Sequence, residues 1–288
     1  MTPQTSNSNP ACCILVATKD RLKSLSCVAF PSIRRQNVSP SLIIVVNDGA
    51  PFTDAQKMHL VNALLPLPLV LLQNERIHGA AGAWNHGLAY LSSMGYDGFV
   101  AILDDDDEWN TDHLLSNIEV ACQTKANVVV SGLRMFKDGL AVNRVLINTL
   151  TYRDFFTGNP GWQGSNTFVR FSMFRSVGGF RDGLLSMNDR DLAIRILKHP
   201  DCRIAFTERW TATWHIFTNN NQLSSWRSTA KLAGLKWFWH FYSKEMTSEE
   251  KVSFFGRAEN YFGFSKDEII EDSSGVPTHY NIQGDLDA

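Results

Sequence analysis

The sequence predicts an α/β fold, a mixed and mostly parallel sheet flanked by helices, with a helical extension at its C-terminal end. Three observations predict it. Short apolar runs alternate with helical stretches from Ala11 to about residue 137, the pattern of strands joined by crossover helices. Polar clusters follow several of those runs directly, where the carboxyl ends of parallel strands gather ligands. Beyond residue 137 the alternation loosens, and from Gln222 onward the chain reads as helix alone.

The elements follow in order. CCILVAT (Cys12–Thr18) is an apolar run of strand length, and such a run reads as a buried strand. A helix follows from about Asp20 to Gln36, with Leu22, Leu25, Ala29 and Ile33 on one face. Ser41–Ala50 is a second strand ending at a polar turn, Thr53–Leu65 a helix, Leu67–Gln73 a third strand and Ala80–Met94 a helix. Gly98–Leu103 is a fourth strand that runs into four aspartates; Thr111–Gln123 is helical and Asn127–Phe136 is a fifth strand. Asp138–Asn148 fits an antiparallel return. Gly161–Phe171 reads as a loop and a strand, Ser172–Phe180 as a short helix stopped by a glycine pair, and Asn188–Leu197 as a helix with acids in its first turn. Helices near Leu223–Tyr242 and Ser248–Tyr261 close the fold. Residues 1–10 and 266–288, polar and low in apolar residues, read as a disordered N-terminus and a flexible tail.

Composition narrows the function classes. The 288 residues carry 44% hydrophobic and 19% charged side chains and a net charge of −2, ordinary for a globular protein and without general attraction to nucleic acid or anionic lipid. Cysteines 12, 13, 27, 122 and 202 are odd in number and form no CxxC pair, which points to free thiols in a reducing compartment rather than to disulfides or zinc. No signal peptide and no apolar run of ~18–20 residues is present. The expectation is a soluble, cytoplasmic protein.

AILDDDDEW (Ala101–Trp109) is the strongest chemical signal. Adjacent carboxylates at a strand end repel one another and raise each other's pKa; a divalent cation removes that cost. Mg²⁺ takes one or two carboxylates and completes its shell with water and substrate phosphates, and oxygen ligands alone leave Mn²⁺ and Mg²⁺ equally eligible. An EF-hand loop counted from Asp104 would need Gly and Glu where Trp109 and Leu115 stand. The plainer alternative is an acidic turn capping a helix.

With these residues in view, the sequence resembles the nucleotide-diphospho-sugar transferases of the GT-A fold, in particular glycosyltransferase family 2. LDDDDEW resembles that family's DxD signature. VATKDR (Val16–Arg21) resembles its opening strand and turn, and VVNDGA (Val45–Ala50) its V-D-D-G-S element. GAAGAWNHGL (Gly79–Leu88) is similar to its Ala-Arg-Asn-x-Gly helix, and GGFRDGLLSMNDRDLAIRI (Gly178–Ile196) to its GGF…ED-x-D element. Order and spacing agree from about residue 12 to 215. Asn47, Asn188 and Trp84 depart from the pattern, standing where an acid, an acid and an arginine are usual.

The resemblance implies a GT-A catalytic domain over 11–220 and a helical extension over 221–265. It also implies an inverting, metal-dependent transfer of a sugar from a nucleotide-diphosphate donor, with a UDP-sugar favoured, to an acceptor hydroxyl. Asp189 would be the general base. Asp48 would accept from the N3–H of a uracil-type base, with Thr18 and Arg21 flanking the nucleotide. Asp104 and Asp105 would lie near ribose and metal, Asp106 would bind the metal, and His215 would complete the metal and diphosphate site.

Plainer roles stand beside these. Asp189 and Asp191 suit the first turn of a helix as capping acids, and Asp191 is placed to pair with Arg195 at i+4. His215 lies between Trp214 and Ile216, a setting usual for a core histidine. Trp162 fits either a sugar-stacking platform or a core anchor. His78 and His86 flank the glycine-rich turn, and Gly79–Gly82 fits close helix packing better than phosphate binding. The aromatic stretch Lys231–Lys244 fits a helix packed on the catalytic domain, with acceptor contact, dimerisation or a membrane-surface face as further options. A sugar nucleotidyltransferase is the competing enzyme, but ATKDRLKSL lacks the glycines that hold a triphosphate. A non-catalytic sugar-nucleotide binder is the competing non-enzyme. Lipid-linked acceptors at a membrane surface stay among the candidates.

Overall fold

A computed structural model of the chain describes residues 10–216 and 225–270. In chain order its elements are β1 (Cys12–Thr18), α1 (Leu22–Ser24), a π-helical stretch Leu25–Ala29, α2 (Phe30–Arg34), β2 (Leu42–Asn47), α3 (Asp54–Leu64), β3 (Leu69–Gln73), α4 (Ala80–Ser93), β4 (Phe99–Asp104), β5 (Glu108–Trp109), α5 (His113–Thr124), β6 (Val128–Lys137) and β7 (Leu140–Asn143). The second half adds α6 (Asp154–Thr157), β8 (Thr167–Arg170), α7 (Phe171–Val177), α8 (Asn188–Lys198), β9 (Ile204–Ile216), α9 (Thr229–Tyr242), α10 (Ser248–Phe262) and α11 (Lys266–Ile270).

The strands form one mixed sheet in the order β3-β2-β1-β4-β8-β6-β9-β5, with β7 paired to β6. The β3-β2-β1-β4 half is parallel throughout. β8 enters between β4 and β6 and runs antiparallel to both. Register brings Thr18 beside Asn47 and Ala17 beside Asp104, so the polar ends of β1, β2 and β4 share one edge of the sheet.

Period-two alternation sends neighbouring side chains to opposite faces. On β1, Cys12, Ile14 and Val16 join one core with Leu25, Phe30 and Ile33, with Leu60 of α3 and with Leu114 and Ile118 of α5. Cys13 and Leu15 face a second core built by α4, α7 and α8. That second core also contains Trp237, Phe238 and Tyr242 of α9, Phe254 of α10 and Ile269 of α11. The aromatic stretch is therefore largely packing, at roughly 1.5–3 kcal/mol for each large apolar side chain buried, and the C-terminal helices share a core with the sheet.

The predicted first helix forms as two α segments around the π-helical stretch. The predicted short helix after β8 stops where Gly178 and Gly179 take φ of +74° and +69°, as left-handed caps require. α9 begins at Thr229, capped by the Ser228 side chain; the predicted start at Leu223 lies outside the described residues. So do residues 1–9 and 271–288, while the first five residues read as tail form α11. β9 was not expected. It runs parallel to β6 with register shifts around Gly132, and Glu208 has a φ of +53°.

Candidate active site

The turn between β4 and β5 sorts the acidic run, closed by the Asp107 N–H donating to the Asp104 carbonyl at 3.1 Å. Asp104, Asp106 and Glu108 are half-buried, whereas Asp105, Asp107 and Trp109 are buried. Asp105 is held from below by β1 and its turn: the Thr18 hydroxyl donates to Oδ2 at 2.5 Å, and Arg21 forms an ion pair with Oδ1 at 2.7 Å. Burial nevertheless pushes Asp105 up to about 6 against the opposing pull of Arg21 and Thr18. Asp107 accepts from Ser165 Oγ at 2.6 Å and from the His215 backbone N–H at 3.0 Å. Burial and then the Asp106 charge push it up to about 7. These two acids anchor the tip of β4 to its neighbours.

The outward pair is different. Arg21 Nη1 donates to Asp106 at 2.5 Å. Asp104 is held well above the usual carboxylate range by burial and then by the charges of Asp107, Asp106, Asp189 and Asp105. A cation would relieve that repulsion, and the donor set, two half-exposed carboxylates, is what a hard divalent ion uses when phosphate and water supply the remainder. Among the described residues, no group of three or more His, Cys, Asp or Glu side chains converges on a metal position. His215 Nε2 lies 3.3 Å from Glu108 Oε1, and this partner raises the imidazole pKa. The pairing expected of Asp106 with His215 is thus not preformed: one faces Arg21 and the other faces Glu108.

Asp48 lies at the next strand end and is 4% exposed. Its Oδ1 accepts from Asn74 Nδ2 at 2.6 Å and from His78 Nδ1 at 2.9 Å, and its Oδ2 from the Gly79 N–H at 2.9 Å. Burial works against its charge, but the bonds from Asn74, His78 and Gly79 prevail and hold its pKa below the ordinary value. The exposed Lys19 ammonium lies 3.7 Å from the same Oδ2, beyond hydrogen-bond distance. The Gly79 amide is thereby committed to Asp48. A Cβ on Gly82 would stand 2.0 Å from the Ile77 carbonyl oxygen, so packing excludes a side chain there, whereas Gly79 has open space and takes a φ of +127°. Asn47 makes its own contacts to Ala50 O, Gln73 Oε1 and the Gly49 N–H. His86 accepts from the Glu75 N–H at 3.4 Å.

Asp189 stands in the first turn of α8, half-buried. The Gly164 backbone N–H donates to its carboxylate, and the charge of buried Lys231 lies near it; burial outweighs both and pushes it up to about 6. Gly164 also faces the acidic tip, since a Cβ there would stand 3.2 Å from both carboxylate oxygens of Asp104. Asp189 and Asp104 therefore meet across one glycine. Replacing Gly164 with Ala is expected to cost about 1–3 kcal/mol through overpacking, read from thermal unfolding; unchanged stability would show that Asp104 can swing aside.

Several roles open in the sequence are assigned here. Asp191 is structural, bonded to Arg195 Nε at 2.9 Å and to Arg181 and Tyr242. Trp162 is 2% exposed and donates to Thr167 Oγ1 at 2.8 Å. It is a core anchor and no platform for a sugar. Trp84, where an arginine is usual, packs on Phe180 at 4.6 Å. Asn85 clamps the loop before α8 through Phe180 N and O and Asp182. Gly164, Ser165, Asn85 and Lys231 were not singled out in the sequence, because their partners are distant in the chain. Asn85 alone had a local signal, its place in the AWN motif.

The family model for glycosyl transferase family 2 matches residues 13–190, a span that contains Asp48, the acidic tip and Asp189. The chain belongs to glycosyl transferase family 2. Solved structures agree in fold. TarS 1-349 of S. aureus in complex with UDP-GlcNAc aligns with a TM-score of 0.59 and 16% identity over 87% of this chain and 80% of that one. The mannosyltransferase PcManGT of Pyrobaculum calidifontis, in complex with GDP-Man and Mn²⁺, aligns with a TM-score of 0.57 and 16% identity over 88% and 70%. No curated protein matches in sequence. This family 2 glycosyltransferase thus has the expected GT-A fold. Among its described residues no helix is long and apolar enough to cross a membrane.

Proposed function

We propose that this glycosyltransferase moves a sugar from a nucleotide-diphosphate donor, with a UDP-sugar favoured, to an acceptor hydroxyl with inversion at C1, and that Asp189 is the general base. The observation that carries this reading is the pair of acids divided by Gly164: the Asp104–Asp106 tip on the donor side and Asp189, pushed up to about 6, on the other. A carboxyl poised near neutral pH suits proton abstraction. In the reaction the Asp189 carboxylate takes the proton of the acceptor hydroxyl as that oxygen bonds to C1. The C1–O bond to the diphosphate breaks, and the nucleoside diphosphate departs with the electron pair. The Gly164 N–H keeps the carboxylate oriented.

On the donor side, Asp48 Oδ2, which accepts one hydrogen bond from the Gly79 N–H and has Lys19 3.7 Å away, would accept the N3–H of a uracil base. Thr18 and Arg21 fix Asp105 and thereby the floor of the site. Asp106 and Asp104 would hold a divalent cation, Mn²⁺ or Mg²⁺, which when bound neutralises charge on the departing diphosphate.

Thermal unfolding with UDP, GDP, CDP, TDP and ADP, each with Mn²⁺ and with EDTA, tests the donor site. A nucleotide at ~100 times its Kd is expected to add ~2.7 kcal/mol, with UDP strongest and only in the presence of metal. Equal stabilisation in EDTA would remove the metal from the reading. No stabilisation by any nucleotide would remove the donor-site assignment.

A further inference from the structure

Three guanidinium groups converge on the short segment that ends α6. Arg190, 6% exposed, donates from Nε to the Phe155 carbonyl at 2.9 Å and from Nη2 to the Phe155 and Phe156 carbonyls. Arg144 Nη2 donates to the Asn159 carbonyl at 3.3 Å. Arg257 Nε stands 3.4 Å from where a Cβ on Gly158 would lie. Lys231, 9% exposed, joins them from α9. Its Nζ lies over the Phe262 ring at 4.6 Å, as the Arg257 guanidinium lies over Tyr261 at 4.6 Å and that of Arg190 over Phe238 at 4.2 Å.

Aromatic faces and carbonyls solvate these cations, and the one carboxylate among the described residues whose charge acts on them is Asp189, on Lys231. Among the described residues none of the four has a carboxylate within 4.0 Å. Burial and then the Arg257 charge lower Arg190 to about 9, and burial and then the Arg190 charge lower Lys231 to about 8 against the opposing pull of Asp189. Buried charge without a counterion is costly, and a bound anion removes the cost.

We propose that Arg144, Arg190, Lys231 and Arg257 form a subsite for a phosphate group carried by the acceptor. Four cations against the single carboxylate of Asp189 call for more than one further negative charge, which a phosphate supplies and a carboxylate does not, and guanidinium groups match phosphate geometry. Position ties the subsite to the acceptor. Arg190 follows Asp189 in the chain, and Lys231 is close enough for its charge to act on the Asp189 carboxylate. The cluster therefore begins beside the base, at Arg190 and Lys231. Lys231 and Arg257 also lie outside residues 13–190, the span matched by the family model, as expected of residues that serve this chain's own acceptor. The inference rests on Asp189 as the base.

The test is calorimetric titration of inorganic phosphate into the full chain, free and saturated with UDP and Mg²⁺. Phosphate is expected to bind the UDP-saturated protein. Arg257→Gln is expected to weaken it about tenfold with UDP affinity unchanged, and Arg257→Lys, which keeps the charge, to retain most of it. The proposal is overturned if phosphate does not bind, if saturating UDP displaces it (the cluster then serves the donor diphosphate), or if Arg257→Gln leaves its affinity unchanged. Failure of UDP itself to bind would count against the donor-site reading instead, and the Arg257→Gln comparison in free protein still reads the cluster.

Discussion

Replacing Asp189 with Asn is expected to lower the rate of sugar transfer by about 10²–10⁴-fold, the usual worth of general-base help, while leaving nucleotide affinity near that of the wild type. The substitution keeps the shape of the side chain and an oxygen to accept the Gly164 N–H, but it removes the basic carboxylate. Nucleotide binding should survive because Thr18, Arg21 and Asp48 belong to the ends of β1 and β2, anchored by bonds that do not involve α8. The same assignment fixes the pH dependence. Asp189 acts as base only when ionised, and burial pushes its pKa up to about 6. The kcat/KM of the wild type should therefore fall as pH drops through about 6 and level off above it. Transfer by Asp189→Asn within about tenfold of wild type, or an acid limb that stays in place in the variant's residual activity, would assign the base elsewhere. A protein that shows no transfer before or after the change, yet binds nucleotide, is a binder.

The features legible in the sequence are those set by local pattern. β1, β2 and β4 are continuous apolar runs, because both faces of each are covered by helices. The Asp104–Asp107 run advertises itself by placing like charges at a strand end. Its internal division was hidden, since only the observed turn shows that Asp105 and Asp107 are buried against Thr18, Arg21 and Ser165 while Asp104 and Asp106 stay part-exposed. β9 was illegible for a physical reason: it is part-exposed at many positions and bulged, so neither a clean alternation nor an apolar run marks it. Trp162 misleads in the other direction, for a Gly/Pro loop gives no hint that its indole is folded inward onto Thr167. Lys231 lies 42 residues from Asp189 in the chain (231 minus 189), and no local pattern announces that the packing of α9 against α8 brings its charge near that carboxylate.

Asp191 illustrates how that packing is fixed, and its replacement should have the largest effect on stability. The carboxylate is 1% exposed. Oδ1 accepts from Arg181 Nε at 2.9 Å and from the Tyr242 hydroxyl at 2.7 Å, and Oδ2 accepts from Arg195 Nε at 2.9 Å and Nη2 at 2.7 Å. Arg181 in turn stacks over Trp237 and Phe241 of α9. One carboxylate thus joins α8, the loop before it and α9. Replacing Asp191 with Asn leaves two largely buried guanidinium groups without their counter-charge, and breaking a buried pair on one side costs about 3–5 kcal/mol, measurable by urea unfolding. The pH dependence carries a sign. Burial would raise the Asp191 pKa, but Arg195 and Arg181 prevail and hold it below the ordinary value. Its stabilising contribution is then complete above the ordinary carboxylate range and is lost as pH falls below it, so the gap between wild type and Asp191→Asn should close in acid. Combining Asp191→Asn with Arg181→Met should cost less than the sum of the two single changes, because the second removes a charge that the first leaves unpaired. Strict additivity would mean that Arg181 is held by its aromatic stack alone. Asp191 lies two residues beyond Asp189 on the first turn of α8, so a loosened turn should also slow transfer at temperatures where Asp191→Asn is still folded.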